Sequence, residues 1–260
     1  MTTVDEGPRG RILEAAAGAI AESGFHGMSM RALARAAGMS LGNSYNYFAS
    51  KEEILFAIQK GAFEVLIASA GEALAPLAEP SARLYVFVSH HVRYFAEHPE
   101  VMRVLVHEAS ALPEAERREV RRLKERYFAL GRSIVADLVA EGCGPGSAES
   151  SGPLPVTPTP VEDEPVDDAE LDSMSYSLFG MLNWIYGWYR PEKHGTPADV
   201  ARSIHRLALC GVTPHCPHLG APELHARLDH HLESVETPPL LGGLPDRLRP
   251  AEPPPPPPDR

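Results

Sequence analysis

The stretch SMRALARAAGMSLGNSYNYFASKEE, residues 29–53, decides how the chain folds. Met30, Leu33, Ala34 and Ala37 fall at i, i+3, i+4 and i+7, which is one apolar helical stripe. Gly38 stands where a helix commonly ends in a left-handed residue. Ser40 is placed to cap a second helix over residues 41–48, in which Leu41, Ser44 and Tyr45 alternate inward and outward. A helix that short is marginal alone in water, so packing must hold it, and its free side is polar. Helix, glycine turn and short polar helix together suggest a helix-turn-helix, whose second helix enters the DNA major groove.

Outward from this stretch, residues 1–8 read as an arm. Residues 9–22 read as a helix burying Ile12, Leu13, Ala16, Ala17 and Ile20, stopped at Gly24. Ser50 and Glu53 form an S-x-x-E capping box for a helix reaching residue 74, about 36 Å long. Pro76 and Pro80 end it. Helical patterns follow over residues 81–97, 100–110 and 114–141. Residues 142–168 then lose periodicity in a run of Gly, Ser, Pro and acid, which predicts a flexible acidic insertion. Residues 169–189 are apolar nearly all round, implying burial from two sides. Thr196 as cap and Pro197 at the first helical position begin the last strong helix. Residues 214–260 are a Pro- and His-rich tail ending in AEPPPPPPDR, expected to be disordered. The expected architecture is all-α: a head at residues 1–50, a helical body at 51–213, about nine helices in all, and the tail.

The formal net charge is -11, but the charge is unevenly placed. Over residues 1–60, Arg9, Arg11, Arg31, Arg35, Lys51 and Lys60 balance Asp5, Glu6, Glu14, Glu22, Glu52 and Glu53. The surplus acid falls between residues 143 and 189, which contain no Lys or Arg. A neutral head on an acidic body limits non-specific DNA affinity, which scales with the phosphates neutralised. Cys143, Cys210 and Cys216 form no CxxC pair, and no signal sequence or long apolar run is evident, so a soluble, cytoplasmic protein away from membranes is expected.

Residues 11–55 resemble the N-terminal domain of the TetR family of transcriptional regulators. The pattern is Ala15–Ala16, Gly24–Phe25, Ser29, Leu33–Ala34, Ala37–Gly38, Ser40, Gly42, Tyr45, Tyr47–Phe48, Ser50–Lys51–Glu52 and Leu55. The resemblance assigns Gly42 and Asn43 to base edges, and Ser29, Ser40, Tyr45, Tyr47 and Lys51 to the DNA backbone. Arg31, Leu41, Ser44 and Asn46 complete the candidate contact set. Asparagine pairs with adenine N6 and N7, serine and tyrosine hydroxyls reach phosphates, and Lys51 sits at a helix start that favours phosphate. With no Arg or Lys in the second helix, the commonest guanine contact is missing, so A·T pairs are expected at the positions read by asparagine. Tyr45 and Phe48 have an alternative role in core packing.

Residues 178–212, including GMLNWIYGWYRP, resemble the C-terminal domain of a TetR subgroup that includes a cholesterol-catabolism repressor responding to a CoA thioester. That resemblance makes Asn183, Trp184, Trp188, Tyr189 and Arg190 candidates for an effector site or a dimer face. Tyr94, Phe95, Met102, His107, Tyr127 and Phe128 are further pocket candidates, with ordinary core packing as their alternative. Arg190 suits an anionic phosphate or carboxylate, or is a solvated cation at a helix end. The apolar Leu171, Met174, Leu178, Leu182 and Ile185, with Ile204, Leu207 and Ala208, are the expected homodimer interface. His90 and His91 are adjacent on a helix and point about 100° apart, which argues against a shared metal.

No catalytic, nucleotide-binding or metal motif stands out, so neither an enzyme nor a cofactor is expected. The resulting expectation is a homodimeric regulator, a repressor of a palindromic double-stranded operator, released by a small hydrophobic or acyl-CoA-type effector. The competing expectation is a protein that recruits partners through its acidic insertion and proline-rich tail.

Overall fold

The computed structural model describes residues 7–142 and 166–212. Most of the acidic insertion and all of the tail lie outside these residues. The order is α1 (Pro8–Gly27), α2 (Met30–Ala36), α3 (Leu41–Ser44), α4 (Lys51–Leu74), α5 (Pro80–Glu97), α6 (Pro99–His107), a 3-10 turn (Ala109–Ala111), α7 (Glu114–Gly142), α8 (Asp168–Asn183), α9 (Ile185–Trp188), α10 (Pro191–His194) and α11 (Pro197–Val212). No strand occurs among the described residues.

Capping explains most boundaries. Ser29 Oγ accepts from Ala32 N at 3.2 Å, Ser40 Oγ from Asn43 N at 3.2 Å, and Ser50 Oγ from Glu53 N at 3.1 Å. Glu53 Oε2 accepts in return from Ala49 N at 2.7 Å. Thr196 and Asp199 cap α11 reciprocally: Asp199 Oδ2 accepts from Thr196 N at 2.8 Å, and Thr196 Oγ1 from Asp199 N at 3.3 Å. Asp167 Oδ1 caps α8 through Glu170 N at 2.8 Å. Each cap satisfies amide donors that a helix start leaves open.

Three elements differ from the sequence expectation. Gly24 does stop the first run of α1, at φ +72°, but one further helical turn follows at once and buries Phe25. The expected 41–48 helix stops at Ser44, where the Ser44 hydroxyl donates to Leu41 O at 2.8 Å and Tyr45–Tyr47 form turns. The expected helix over 169–189 breaks at Trp184 into α8 and α9, and the short α10 then precedes Gly195 at φ +75°.

In the head, α1, α2 and α3 close over Ile12, Ala16, Ile20, Leu33 and Phe48. α4 leaves the head and packs along α7, where Lys60 Nζ donates to Glu119 Oε1 at 2.6 Å. By length and composition α4 is apolar enough to cross a membrane. Here Ile54, Leu55, Ile58, Leu66 and Ala70 are buried in the core instead. α11 lies along α5, and Arg132 ties α7 to α8 through Asp172 at 2.5 Å and Asp168 at 2.9 Å.

The centre of the body is filled by rings. Phe87 lies 5.4 Å from Tyr127 and 5.9 Å from Phe179, centroid to centroid. Gly131 is as tight: a Cβ there would meet Phe179 Cε2 at 2.8 Å. His91 is buried among these rings, its Nδ1 hydrogen-bonded to Tyr127 Oη at 3.1 Å. Burial holds Tyr127 protonated, and His91 Nε2, on the other side of the ring, closes no hydrogen bond among the described residues. Burial, with a smaller push from His90, lowers the His91 pKa to about 3, and the Leu182 carbonyl that favours the proton does not offset it. The folded chain therefore refuses a proton that the unfolded chain accepts below its ordinary pKa of about 6.5. Stability should fall as pH drops from about 6.5 toward 3, by up to about 1.4 kcal/mol per pH unit from this one group. Urea titrations across that range should show a shallower acid loss in His91→Phe; equal slopes in both proteins would assign the acid loss to other groups.

Candidate nucleic-acid interface and effector cleft

The turn between α2 and α3 is set by Gly38 at φ +70°, where Met39 N donates to Ala34 O at 2.9 Å and Gly38 N to Arg35 O at 3.1 Å. This turn presents one side of α3 outward. Gly42, Asn43, Tyr45 and Asn46 are exposed, with Tyr45 at 49%. Asn46 Nδ2 donates to Asn43 Oδ1 at 3.3 Å, which steadies both amides and leaves Asn43 Nδ2 and Asn46 Oδ1 facing solvent. Ser29 and Ser40 are exposed too; their oxygens accept the cap bonds, and each hydroxyl keeps its proton to donate elsewhere. Leu41 and Tyr47 are half-buried.

Ser44 does not belong to this set. It is fully buried and its hydroxyl is spent on Leu41 O, so it packs α3 onto the head. Phe48 is likewise core, and its ring carries the Arg9 guanidinium at 4.9 Å. Lys51 is half-buried, its Nζ 4.5 Å over the Phe25 ring and 3.5 Å from Phe25 O. A residue missing from the sequence reading is Arg35. It is exposed one turn after Arg31, and both border an open hollow with Ala34, Gly38, Met39, Ser40 and Leu41. Their i, i+4 spacing on one helix face was the available signal.

The effector candidates separate into two places. Tyr127 and Phe128 sit in the aromatic centre, Phe128 stacked on Tyr176 at 4.6 Å, while Met102 is buried core and Tyr94 is half-buried against it. Phe95 and Arg190 instead line a cleft of about 400 Å³ with Arg103, Ile185, Tyr186 and Tyr189, walled on the head side by Gly18, Ala21 and Glu22 of α1. His107 lines an adjoining lobe of about 300 Å³ with Ile20, Gly24, Arg103, Glu108 and Tyr186. His107 Nε2 lies 2.9 Å from Tyr186 Oη. Arg103, Glu108 and Tyr186 were not singled out from sequence, because residues far apart in the chain build this cleft. Asn183 is half-buried, and Trp184 and Trp188 are exposed.

The expected dimer residues are also redistributed. Leu178, Leu182, Ile185, Ile204 and Ala208 are buried within the protomer, and Leu171 and Met174 pack against that same core. They form the core because α8 and α11 turn their richest apolar stripes onto α5 and α7. Leu207, on α11, alone of the set is outward, 66% exposed; Tyr176 on α8 at 65% and Trp184 at the α8–α9 break at 61% are exposed as well. Ser173, Ser177 and Gly180 of α8 are exposed too.

Two family models match the chain. Residues 12–58 match "Bacterial regulatory proteins, tetR family", and residues 77–148 and 160–212 match "Tetracyclin repressor-like, C-terminal domain". Among solved structures, the TetR family transcriptional regulator PfmR from Thermus thermophilus is 30% identical, with a TM-score of 0.61 over 76% of this chain and 97% of that one. The fold is shared with AibR, solved in complex with isovaleryl coenzyme A and operator DNA, at 21% identity and TM-score 0.62 over 77% of this chain and 97% of that chain. The HTH-type transcriptional repressor KstR2 of Mycobacterium tuberculosis is 37% identical over 76 residues, which is 29% of this chain and 38% of the repressor's length. From its helix-turn-helix head to its last described helix, the chain belongs to the TetR family of bacterial regulatory proteins.

Proposed function

We propose that the protein is a ligand-responsive repressor that binds a palindromic operator as a homodimer. The observation that carries this reading is the outward set Gly42, Asn43, Tyr45 and Asn46 on a short helix whose other side, Ser44 and Phe48, is locked into the head. The family membership supports DNA as the partner, and the named role of KstR2 supports repression. Arg31, Arg35 and Lys51 supply phosphate contacts around an α3 that has no cation of its own. In a mobility-shift assay on the DNA upstream of its own gene, a discrete salt-sensitive complex is expected; no shift at low salt would overturn the reading.

Asn43 and Lys51 should fail differently. Asn43→Ala removes a base-edge group and should lower discrimination between operator and mismatched DNA by about 1–3 kcal/mol. Lys51→Ala removes a phosphate contact and should weaken all sequences alike, reducing the slope of log K against log salt by about 1. Sites recovered from random DNA should carry A·T pairs where Asn43 reads; recovery of G-rich half-sites would contradict the assignment.

Tyr176, Trp184 and Leu207, on two helices that pack together, support a homodimer through the outer surfaces of α8 and α11. Exposed large apolar groups on a water-soluble body mark contact surfaces, and a two-fold pair would set two recognition helices about 34 Å apart. Leu207→Glu places a charge on that surface without touching the core. Sedimentation should then report the monomer mass, with operator affinity lost in parallel. A dimer of unchanged stability would move the interface elsewhere.

The effector is a small hydrophobic or acyl-CoA-type molecule in this reading. Arg103 of α6, Phe95 of α5 and the Tyr186, Tyr189 and Arg190 of the α9 segment, brought to one cleft, support it.

A further inference from the structure

The aromatic centre of the body leaves little room for a guest: Phe87, Tyr127 and Phe179 fill it, and Gly131 is packed against two of those rings. The open space lies at the seam between head and body. There the two lobes, about 400 Å³ and 300 Å³, share Ala21, Arg103 and Tyr186 as walls, and the larger falls within the usual range of small-molecule sites, roughly 300–1,000 Å³. Phe95, Pro99 and Ile185 make its walls apolar. Arg103 borders both lobes and makes no hydrogen bond, ion pair or ring contact among the described residues. Glu22 and Glu100 stand on the larger lobe's wall, so room for negative charge is limited to the neighbourhood of Arg103 and Arg190.

The smaller lobe also touches the joint between the two parts of the molecule. Glu108, just past the end of α6, accepts from Phe25 N at 3.1 Å through Oε1, at the amide following the Gly24 break in α1. Phe25 in turn holds Lys51 by its ring and by its carbonyl. A molecule entering beside Gly24 and Glu108 would press on the one side-chain bond that runs from α6 to this peptide.

We infer that this seam, rather than the aromatic centre, is the effector site: it takes an acid with an apolar body, the acid group on Arg103. Occupancy displaces Glu108 from Phe25 and so shifts α1 and Lys51 relative to the body. The inference rests on the effector response proposed above. Glu108 is a positioning residue in this scheme: it lines the smaller lobe and joins the site to Lys51 through Phe25. Because binding couplings are reciprocal, operator DNA must weaken ligand affinity by the factor by which ligand weakens DNA affinity.

The test uses the full chain on fluorescent operator DNA, titrated with octanoate, octanoyl-CoA and neutral octanol. At least one acid-bearing probe should release the DNA, and octanol should not. Arg103→Ala should raise the concentration needed by about tenfold or more, the worth of a hydrogen bond to a charged group, with partial rescue by Arg103→Lys. Arg121→Ala, which removes an exposed cation from α7 instead, should leave release unchanged. Glu108→Ala should keep probe binding, measured by thermal shift without DNA, while the DNA-dependent change in probe affinity shrinks. If an acid releases wild-type DNA and Arg103→Ala responds at the same concentration, the site assignment is overturned and the effector reading stands. If neither acid acts on the wild type, the effector class fails and the site assignment with it. Undiminished coupling in Glu108→Ala would overturn the transmission through Phe25.

Discussion

One residue, Phe25, is gripped from two directions: its amide by Glu108 just past α6, and its carbonyl and ring by Lys51 at the start of α4. The grip exists because Gly24 turns to positive φ and breaks the helical ladder of α1. A side chain at that φ would be strained, so glycine is what lets the chain leave the helix, expose one amide to Glu108 and re-enter the helix with Phe25 facing inward. The ring then lies under Lys51 at the first position of α4. α1, α4 and α6 thereby meet at a single residue. A buried amide left without a partner costs about 1–3 kcal/mol, which is why a carboxylate more than eighty residues further along the chain completes the end of α1.

Sequence patterning foretold the helices best where capping chemistry is explicit. Ser40, Ser50 and Thr196 each begin a helix at the position their side chains suggest, and the 24-residue α4 runs over its expected length. Patterning failed where local preference and tertiary packing diverge. The 41–48 segment has helical spacing throughout, yet the Ser44 hydroxyl turns back onto Leu41 and the chain leaves the helix to bury Phe48. The 169–189 segment is apolar nearly all round, so its periodicity could not tell which stripe faces the protomer's own core. The structure gives that role to Leu178, Leu182 and Ile185 and leaves Tyr176 and Trp184 outside.

The sites divide the same way. The proposed DNA-facing set lies within about twenty-five residues and belongs to one local motif, which is what lets a sequence alone assemble it. Of that set the structure buries Ser44, and it adds an exposed Arg35 one turn after Arg31. The seam was not readable, because Ala21, Arg103 and Tyr186 come from three distant parts of the chain and none is unusual alone. Aromatic residues in a helical body are ambiguous for a physical reason: a ring that fills a core and a ring that lines a cleft carry the same apolar surface. Here Phe128 fills and Tyr186 lines.

Charge gives the last constraint. The head's cations and acids cancel over residues 1–60, and α3 carries neither. Few phosphates can be neutralised by one such head, so its non-specific affinity stays low and salt removes it early. A neutral reading surface shifts the burden onto amide and hydroxyl groups, which discriminate between bases only when held in register. That favours a protein whose affinity depends on two heads engaging together and whose control acts on their placement. Couplings between sites are typically about 1–3 kcal/mol, too small to dislodge a strongly cationic binder yet enough to change occupancy by about tenfold when each head contributes little. A single displaced hydrogen bond at Phe25 falls in that range.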